Sequence, residues 1–389
     1  MMNRIKVFLS LCLALLGARF KRKPLWLISD RSDGAGDNGE ALFRYLRAEH
    51  PEIDARFTVS AKASEYRDLR RLGHVVPWRS LRRKVLTLLA DCLVSSQAER
   101  TFTNPFWGYD RLVRRRLASK PFVFLQHGVT KDDISAFVRS RAHPISAIVC
   151  ASARERDAFL APSYGFRPDQ VWLTGFPRYD RLTHAERKYV LVMPTWRRYF
   201  ADDPDAARTF ERTYREFLTH PGLLRTCRAT GYRIVFAPHP NARRYVRMCE
   251  DGDVVTTASP DTPCRTLISE AAMLVTDYSS VAFDFAYLDK PVVYFQYDQA
   301  QFWNGAHTYG KGYFDYERDG FGPVVTTVKA LVDVITQRLS SHTRNDDVFL
   351  SRGRSFFAYP ADHGNAKRVY ERIANAASSC PWGSGAWRS

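Results

Sequence analysis

Short apolar runs alternate along this chain with longer segments whose hydrophobic positions repeat at helical spacing. The runs are continuous and bounded by turn residues, so each predicts a strand that is buried on both faces. A break at "FPRYDRLTHAERK" separates two sets of these strands. The first set covers residues 25–29, 56–60, 74–78, 91–96, 122–126, 147–152 and 171–175, and the second covers 189–194, 233–238, 254–258, 273–276 and 291–297.

Strands that alternate with helices predict two doubly wound α/β domains, each a parallel sheet covered by helices on both faces. A length of 389 residues with 45% apolar residues suits two domains of ordinary size. We place an N-terminal domain at residues 24–185 and a C-terminal domain at residues 186–375. A separate segment, residues 1–23, precedes them, and residues 376–389 form a tail.

Residues 7–18, "VFLSLCLALLGA", form an apolar run of twelve with basic residues on both sides. A membrane-spanning helix needs ~20 residues, so this run is too short to cross a bilayer. A signal peptide is disfavoured because no A-x-A site follows and the cluster "RFKRK" would resist export. Two interpretations stay open: a helix that lies in a membrane interface, near anionic head groups, and a first helix that is buried in the core.

Lysine and arginine total 58 against 41 aspartate and glutamate residues, a net charge of +17. This excess favours an anionic partner (nucleic acid, anionic lipid, a polyphosphate polymer or a nucleotide substrate) unless it is only a solvated basic surface. Nucleic acid is disfavoured because the arginines are spread out and no nucleic-acid motif accompanies them. The seven cysteines are scattered without a C-x-x-C pair, which argues against a disulfide framework or a zinc site and indicates a reducing compartment.

Distinctive polar residues directly follow several predicted strands, at the carboxyl ends where open α/β sheets bind ligands. They are His127 and Gly128, Thr195 to Arg197, His239, and Asp277 to Ser280. A single histidine in such a place is more often a structural hydrogen-bonding group, but four such corners in two domains indicate a ligand cleft. Ser279 and Ser280 also predict the cap of a helix whose first N–H groups would bind phosphate, although capping alone explains the serines equally well.

Residues 34–39 match the G-x-G-x-x-G pattern of dinucleotide-binding loops. Four residues separate this loop from the preceding strand, whereas the pattern needs its glycines at the strand end. Asp30, Asp33 and Asp37 would also repel a pyrophosphate. We therefore expect the loop to approach a neutral polyol or to shape the cleft.

The strand-end residues belong to longer motifs whose order resembles that of the CDP-glycerol glycerophosphotransferase family. The motifs are "WLISDR", "DNG", "FLQHG", "TGFPRYDRL", "VLVMPTWR", "FAPHPN", "LISEAAMLVTDYSSVAFDFAYLDKPVVYFQYD" and "DHGNAKRV". The resemblance extends from Trp26 to Arg372, and the D-Y-S-S-V-x-F-D-F segment followed by K-P is its most specific part. Two departures, "VTKDD" in place of T-P-L-K and the inserted His363, concern the acceptor rather than the donor.

This family comprises the teichoic acid primases and polymerases and their capsule-making relatives. The resemblance implies a GT-B-like fold in which two Rossmann-type domains face a cleft. The C-terminal domain would hold a CDP-linked donor, and the N-terminal domain would present an acceptor. The resemblance also implies cytoplasmic enzymes that attach peripherally to the inner face of the cell membrane, in agreement with the basic composition and the apolar run.

The implied reaction is phosphoryl transfer, in which an acceptor hydroxyl attacks the β-phosphorus of CDP-glycerol or CDP-ribitol and CMP leaves. The acceptor would be a lipid-linked primer or a polysaccharide. His127 is the candidate base because an imidazole titrates near neutral pH, and His239 is the candidate pyrophosphate ligand that stabilises leaving CMP. The donor side is assigned to Ser279, Ser280, Arg243, Thr195, Arg197 and Asp277, and the acceptor side to Asp37, Asn38 and Gly128.

The sequence contains no cluster of carboxylates that would predict a metal site, so we expect no tightly bound metal. Mg²⁺ can still accompany the substrate pyrophosphate. Two other functions stay open. A nucleotide-sugar glycosyltransferase of the same GT-B architecture would release a nucleoside diphosphate, and the D-Y-S-S-V-x-F-D segment argues against it. A non-catalytic protein that binds polyanions or membranes would use its net charge alone, and its binding would survive alanine at both His127 and His239.

Overall fold

The computed structural model describes residues 2–106, 111, 113–139, 145–239, 241–243, 252–303, 310–341 and 346–379. The chain forms two compact units. Unit 1 comprises Met1–Val129, Ser135–Arg181 and Ala361–Ser389, and unit 2 comprises Thr130–Ile134 and Leu182–Pro360. The chain therefore returns to unit 1 near residue 361. The prediction, with one boundary near residue 185, assigns residues 361–375 to the C-terminal domain instead. Residues 380–389 of the predicted tail lie outside the described residues.

The strands coincide with the predicted apolar runs, with one addition. Unit 1 contains β1 (Leu25–Ser29), β2 (Asp54–Val59), β3 (Val75–Pro77), β4 (Cys92–Ser95), β5 (Phe122–Phe124), β6 (Ala147–Cys150) and β7 (Val171–Leu173). Unit 2 contains β8 (Arg187–Val192), β9 (Arg233–Phe236), β10 (Val255–Thr257), β11 (Ala271–Thr276), β12 (Val292–Phe295) and β13 (Val324–Val325). The added strand is β13, whose two residues are too few to form a pattern.

Helices fill the connections between strands. Those of unit 1 are α1 (Met2–Phe20), α2 (Asn38–Glu49), α3 (Tyr66–Arg71), α4 (Leu81–Leu89), α5 (Arg100–Thr103), α6 (Arg114–Ala118) and α7 (Ala153–Phe159). Unit 2 follows with α8 (Pro204–Leu218), α9 (Pro221–Thr230), α10 (Cys264–Glu270), α11 (Val281–Tyr287), α12 (Gln299–Gln301), α13 (Tyr316–Asp319), α14 (Val328–Ser341) and α15 (Asp347–Phe356), and α16 (Asn365–Ser379) belongs to unit 1.

The two sheets share one topology. Their strand orders are β3-β2-β1-β4-β5-β6-β7 and β10-β9-β8-β11-β12-β13, and each neighbouring pair is parallel. The direction of winding reverses between β1 and β4 in unit 1, and between β8 and β11 in unit 2. Such switch points are where doubly wound sheets bind ligands, beyond the carboxyl ends of the strands. The predicted class, two doubly wound α/β domains, is confirmed.

The strands form where the sequence is continuously apolar because both faces of each sheet are covered. All five positions of β1 and all four positions of β12 are buried. In unit 2, Tyr214 of α8 packs its ring against Phe236 and Phe295, and Phe217 also contacts Phe295. A fully buried side chain of this size contributes ~1.5–3 kcal/mol, so this aromatic layer holds α8 firmly on the sheet.

Lys290, in the specific K-P segment before β12, serves the fold. Its side chain is almost wholly buried, and its ammonium donates to the carbonyl oxygens of Ile268 (3.1 Å), Ser269 (2.6 Å) and Ala271 (2.9 Å). Two of these carbonyls belong to the last turn of α10, where a cation is favourable, and the third belongs to the first residue of β11. Burial lowers the pKa of Lys290 to about 8. The segment therefore closes the α10–β11 corner.

Helix α1 has two apolar faces, and only one of them is covered. Val7 and Ala14 are buried in a cluster with Leu88 of α4 and Phe106. The opposite face exposes large apolar side chains at helical spacing: Ile5, Phe8, Leu9, Leu13, Leu15, Leu16 and Phe20. The helix therefore combines features of both interpretations of residues 7–18. None of the helices in the described ranges is long and apolar enough to cross a membrane.

Candidate active site

The candidate donor site lies at the switch point of unit 2. The backbone N–H of Thr195, beyond β8, donates to both carboxylate oxygens of Asp277, beyond β11 (2.9 and 3.2 Å). Asp277 is completely buried and also accepts from the N–H of Tyr278 (2.6 Å). Its carboxylate therefore joins the two loops instead of facing a ligand.

Arg197 is completely buried between two carboxylates. Its Nη1 donates to Asp277 (2.7 Å), and its Nε and Nη2 donate to Asp298 (2.8 and 3.1 Å). The hydroxyls of Tyr199 and Tyr278 also donate to Asp298 (3.1 and 3.2 Å). Burial alone would lower the pKa of Arg197, but the carboxylates raise it well above its usual value. Arg197 therefore braces three loops, whereas the sequence predicts a phosphate ligand.

Ser279 and Ser280 lie half-buried at the start of α11. The Oγ of Ser279 accepts from the N–H of Val281 (3.3 Å), as a capping residue does. The side chain of Ser280 makes no capping hydrogen bond. Capping therefore accounts for Ser279 only.

Three buried polar atoms beside this corner have no hydrogen-bond partner in the described structure: Thr195 Oγ1, Trp196 Nε1 and Arg243 Nε. Trp196 follows β8, and its ring stacks on that of His239, with centroids 6.2 Å apart. His239 and Arg243 follow the neighbouring strand β9, while Pro240 of the same motif lies outside the described residues. Buried polar atoms normally have partners, so these three atoms are available to a ligand with acceptor atoms.

His239 is exposed at this corner. Its Nδ1 lies 3.2 Å from the N–H of Asn241, which donates to it. In the neutral ring the proton must then be on Nε2. His239 can therefore donate a hydrogen bond to an anionic oxygen through Nε2.

The candidate acceptor site is the corner after β5 in unit 1, where His127 is exposed and Gly128 is buried. Gln126 has φ +60°, a left-handed conformation that costs free energy in a residue with a side chain. Asn38, completely buried, supports this backbone: its Nδ2 donates to the carbonyl oxygens of Leu125 (3.2 Å) and Gln126 (2.8 Å). Asn38 therefore positions the corner, whereas the sequence predicts contact with the acceptor.

Arg178 completes this support and is absent from the residues predicted from the sequence. Its backbone N–H donates to Asn38 Oδ1 (3.1 Å), and its Nη1 donates to the carbonyl oxygen of His127 (2.7 Å) and to Asp37 Oδ1 (3.3 Å). The structure thus brings Asp37, Asn38 and His127 together through one arginine. Arg178 belongs to the "TGFPRYDRL" motif, which was the one signal that could have identified it.

Asp30 is fully buried after β1 and occupies the N-terminus of α2, where a dinucleotide-binding fold holds pyrophosphate. Its carboxylate accepts from the N–H groups of Asp37 (3.0 Å), Gly39 (2.7 Å) and Glu40 (3.1 Å), and from the Ser96 hydroxyl (2.6 Å). A Cβ at position 39 would lie 2.6 Å from Asp30 Oδ1, so the position requires glycine. Burial, helped by the charge of Asp37, raises the pKa of Asp30 to about 7 against these hydrogen bonds. The glycine loop, residues 34–39, therefore surrounds the carboxylate of Asp30 at the position where a dinucleotide-binding fold holds pyrophosphate.

The raised pKa of Asp30 predicts that stability falls as pH rises. Between the ordinary value of 3.8 and the folded value of about 7, the folded chain keeps a proton that the unfolded chain has lost. We expect the unfolding free energy of wild type minus that of Asp30→Asn, from urea titrations, to fall by about 2–3 kcal/mol between pH 5 and pH 8. A constant difference would contradict this and mean that the four donors keep the carboxylate ionised.

The late motif "DHGNAKRV" joins α16 to the turn Pro177–Arg181 within unit 1. Asn365 Nδ2 donates to Asp180 Oδ1 (2.6 Å), and its backbone N–H donates to the same atom (3.1 Å). The inserted His363 places Nδ1 3.2 Å from the carbonyl oxygen of Asp180. This motif therefore stabilises unit 1.

Within the described ranges, no three side chains of His, Cys, Asp or Glu are grouped as a metal site requires. The expectation that the protein holds no tight metal stays a prediction.

A profile of the family described as CDP-Glycerol:Poly(glycerophosphate) glycerophosphotransferase matches residues 10–375. The chain is 32% identical over 367 residues to the minor teichoic acid biosynthesis protein GgaB of Bacillus subtilis, covering 91% of this chain and 40% of that protein. It is 31% identical over 191 residues to a teichoic acid glycerol-phosphate transferase of Staphylococcus aureus, covering 43% of this chain and 45% of that protein. The chain spans less than half the length of these curated relatives.

Solved structures with a similar fold include the wall teichoic acid polymerase TagF, with a TM-score of 0.66, 14% identity, and coverage of 97% of this chain and 98% of that one. UDP-GlcNAc 2-epimerase from Neisseria meningitidis matches with a TM-score of 0.53, 12% identity, and coverage of 90% and 100%. At these identities the likeness concerns the fold alone, and it confirms the GT-B-like class.

Proposed function

The chain belongs to the CDP-glycerol:poly(glycerophosphate) glycerophosphotransferase family, and from this premise we propose that it transfers glycerol phosphate from CDP-glycerol to an acceptor hydroxyl, releasing CMP. The proposed acceptor is a membrane-linked or polymer-linked chain of the teichoic acid or capsule type. GgaB acts in minor teichoic acid biosynthesis, and TagF is a wall teichoic acid polymerase that has been soaked with CDPG. Both support this substrate class.

The observation that carries the proposal is the group of unpaired buried polar atoms at the unit 2 switch point: Thr195 Oγ1, Trp196 Nε1 and Arg243 Nε. A CDP-polyol offers many acceptor oxygens on its pyrophosphate and ribose. The hydroxyl of Ser280, which makes no capping hydrogen bond, adds a further donor at the neighbouring loop. A neutral acceptor-poor ligand would leave these donors unsatisfied, at ~1–3 kcal/mol each.

In the proposed step, the acceptor oxygen forms a bond to the β-phosphorus while the bond from that phosphorus to the bridging oxygen of CMP breaks. His127 receives the proton of the attacking hydroxyl. Ser279, Ser280 and Arg243 stabilise the phosphoryl oxygens, and His239 donates a hydrogen bond to the leaving phosphate. The protein's task is mainly to position the groups and to aim donors at oxygens that gain charge.

On the acceptor side, neighbouring residues hold the corner that carries the proposed base, His127. Asn38 and Arg178 hold the backbone at His127, since their hydrogen bonds end on its carbonyl and on those just before it. Asp37 and the backbone of Gly128 stay assigned to the acceptor. A strained corner whose backbone is held from two sides fixes the point from which the His127 side chain extends, and placement is what general base catalysis requires.

CDP-ribitol is the second candidate donor, because a teichoic acid poly(ribitol-phosphate) polymerase of Bacillus spizizenii is 26% identical over 256 residues. The purified protein should therefore be given CDP-glycerol, CDP-ribitol or a UDP-sugar, each with and without a teichoic acid acceptor. We expect CMP that depends on the acceptor and on one CDP-polyol. Release of UDP without CMP would overturn the proposal in favour of a glycosyltransferase, and acceptor binding without any product would favour the non-catalytic protein.

We also propose that transfer needs no tightly bound metal and that Mg²⁺ acts only with the substrate pyrophosphate. Protein treated with a chelator and then desalted should regain its full rate of CMP release when MgCl₂ is added with the donor. A rate that returns only after prolonged loading with another metal would contradict this.

The proposed location is cytoplasmic and peripheral on the inner face of the membrane, with the exposed face of α1 in the lipid interface. Phe8, Leu16 and Phe20 on this face are 64%, 54% and 74% exposed. The helix contains no acidic residue, and Lys6 and Arg19 supply positive charge. A helix that is apolar on its free face and basic at its ends suits an anionic membrane surface.

Phe8→Asp combined with Leu16→Asp is expected to reduce co-sedimentation with phosphatidylglycerol vesicles at least tenfold. Partial burial of two such side chains is worth ~2 kcal/mol or more, and aspartate adds charge repulsion. The matched control is Phe137→Asp with Val348→Asp, which changes two exposed apolar residues elsewhere (47% and 53%). Equal losses in both double variants would contradict a specific role for α1.

A further inference from the structure

A pocket of about 530 Å³ lies where α1 runs into β1. It opens at the amino ends of β1, β4 and β5, which is the sheet edge opposite to the His127 corner. The candidate active site therefore makes no use of this pocket. Its wall carries four basic side chains, Lys21, Arg22, Lys23 and Lys120, and the acidic Asp91.

The charges around the pocket do not balance. Asp91 pairs with Lys21, whose Nζ also lies 3.3 Å from the carbonyl oxygen of Leu89. Among the described residues, Lys23 donates to the carbonyl oxygen of Pro51, and Arg22 is exposed. In the described part of the chain, three of the four cations thus lack a carboxylate partner. A surplus of this kind favours an anion.

Lys120 is the most enclosed of these cations. Its ammonium donates to the carbonyl oxygen of Ala90. Burial lowers the pKa of Lys120 to about 8, with Asp91 opposing this shift and Lys21 adding to it. An ammonium that has lost water without gaining a full counter-charge is the group that a bound anion stabilises most.

The pocket wall begins one residue after the exposed apolar face of α1 ends, since Lys21 directly follows Phe20. The chain contains no acidic residue before Asp30, so α1 and the adjoining residues 21–24 of the pocket wall carry no negative charge, and Asp91 is the one acidic residue in the described lining. An apolar stripe that ends at a cationic pocket matches a phospholipid, which joins acyl chains to an anionic phosphate. A free nucleotide or sugar phosphate would pair with the basic side chains of the pocket but would make no contact with the exposed apolar face of α1.

We propose that this pocket binds the phosphate of an anionic phospholipid head group. The exposed face of α1 gives general affinity for a bilayer. The pocket selects anionic lipids by their charge and sets the orientation of unit 1 on the membrane surface. This inference rests on the proposed membrane attachment and is independent of the transfer reaction.

The first test uses dihexanoyl-phosphatidylglycerol below its micelle concentration, titrated calorimetrically into the full chain. We expect saturable binding that weakens at least tenfold in Arg22→Gln and in Lys120→Met. Arg22 is exposed, so its variant reports on the pocket even if Lys120→Met lowers the melting temperature. Arg70→Gln on α3 removes an exposed charge of unit 1 outside the pocket and should bind as wild type does.

Two further titrations identify the source of the phosphate. Dihexanoyl-phosphatidylcholine should bind at least tenfold more weakly, because its head group has no net charge. Inorganic phosphate that binds as tightly as the anionic lipid would overturn the proposal in favour of a simple anion site. Absence of saturable binding, or equal weakening in Arg70→Gln and Arg22→Gln, would also overturn it.

The experiments distinguish a wrong head-group pocket from a wrong assignment of membrane attachment to α1. Phe8→Asp with Leu16→Asp should lose vesicle binding yet retain the soluble lipid, since the pocket residues are unchanged. If that double variant loses the soluble lipid as well, the head-group pocket is wrong, because binding then depends on the apolar face alone.

Discussion

Replacement of His127 by alanine is expected to lower the rate of acceptor-dependent CMP release by about 10²- to 10⁴-fold. The imidazole is exposed on a corner that Asn38 and Arg178 hold, so its removal deletes the proposed base while leaving the fold intact. Affinity for CDP-glycerol, measured by calorimetry, should change less than about twofold because the donor is assigned to unit 2. The expected signature is therefore a loss in kcat with little change in donor affinity.

Two other variants separate the base from its surroundings. His184→Ala is the matched control, since His184 is another exposed histidine outside both candidate corners, and its rate should equal that of wild type. Asn38→Ala keeps the imidazole but removes the support of Gln126, so we expect an intermediate loss of kcat together with lower stability. If His127→Ala keeps the full rate while Asn38→Ala loses it, the corner acts through its shape and His127 is not the base.

Arg197→Met is expected to destabilise unit 2 by about 3–5 kcal/mol, measured by urea unfolding at neutral pH. Methionine fills much of the space but leaves the carboxylates of Asp277 and Asp298 buried without a counter-charge. The loops after β8, β11 and β12 would then lose their common brace. We expect donor affinity to fall only in proportion to the loss of folded protein.

The control for this prediction is Arg187→Met. Arg187 also pairs with a carboxylate, that of Glu270 at 3.2 Å, but its side chain is 71% exposed. Exposed ion pairs contribute ~0–1 kcal/mol, so this variant should remain close to wild type. Unchanged stability of Arg197→Met together with lost CDP-glycerol affinity would contradict the bracing role and restore Arg197 as a phosphate ligand.

The strands were predictable because each is a buried parallel strand with no exposed face, which leaves a continuous apolar run in the sequence. The second sheet's β13 was not predictable, since Val324 and Val325 are too few to form a pattern. The return of α16 to unit 1 was also hidden. It depends on hydrogen bonds between Asn365 and Asp180, and nothing local to either residue indicates the other.

For the candidate site, the sequence identified the corners better than the function of each side chain. Strand ends are set by local pattern, so His127, His239 and Ser280 fall at the edges where they were expected. Whether a polar residue faces a ligand or the interior depends on partners far away in the chain. The sequence predicts Arg197 as a phosphate ligand because nothing in the residue pattern indicates its pairing with Asp298, which follows about a hundred positions later.

The covered face of α1 depends on residues that are synthesised much later. Leu88, Phe106 and Val113, which pack against it, follow the end of the helix by roughly 70–90 residues, and a ribosome adding ~5–20 residues per second needs on the order of 5–20 s to make them. During this interval both apolar faces of the nascent helix are uncovered. Val7 and Ala14 can therefore be buried only after residue 113 has been synthesised, so the first helix of the chain cannot complete its packing before the middle of unit 1 exists.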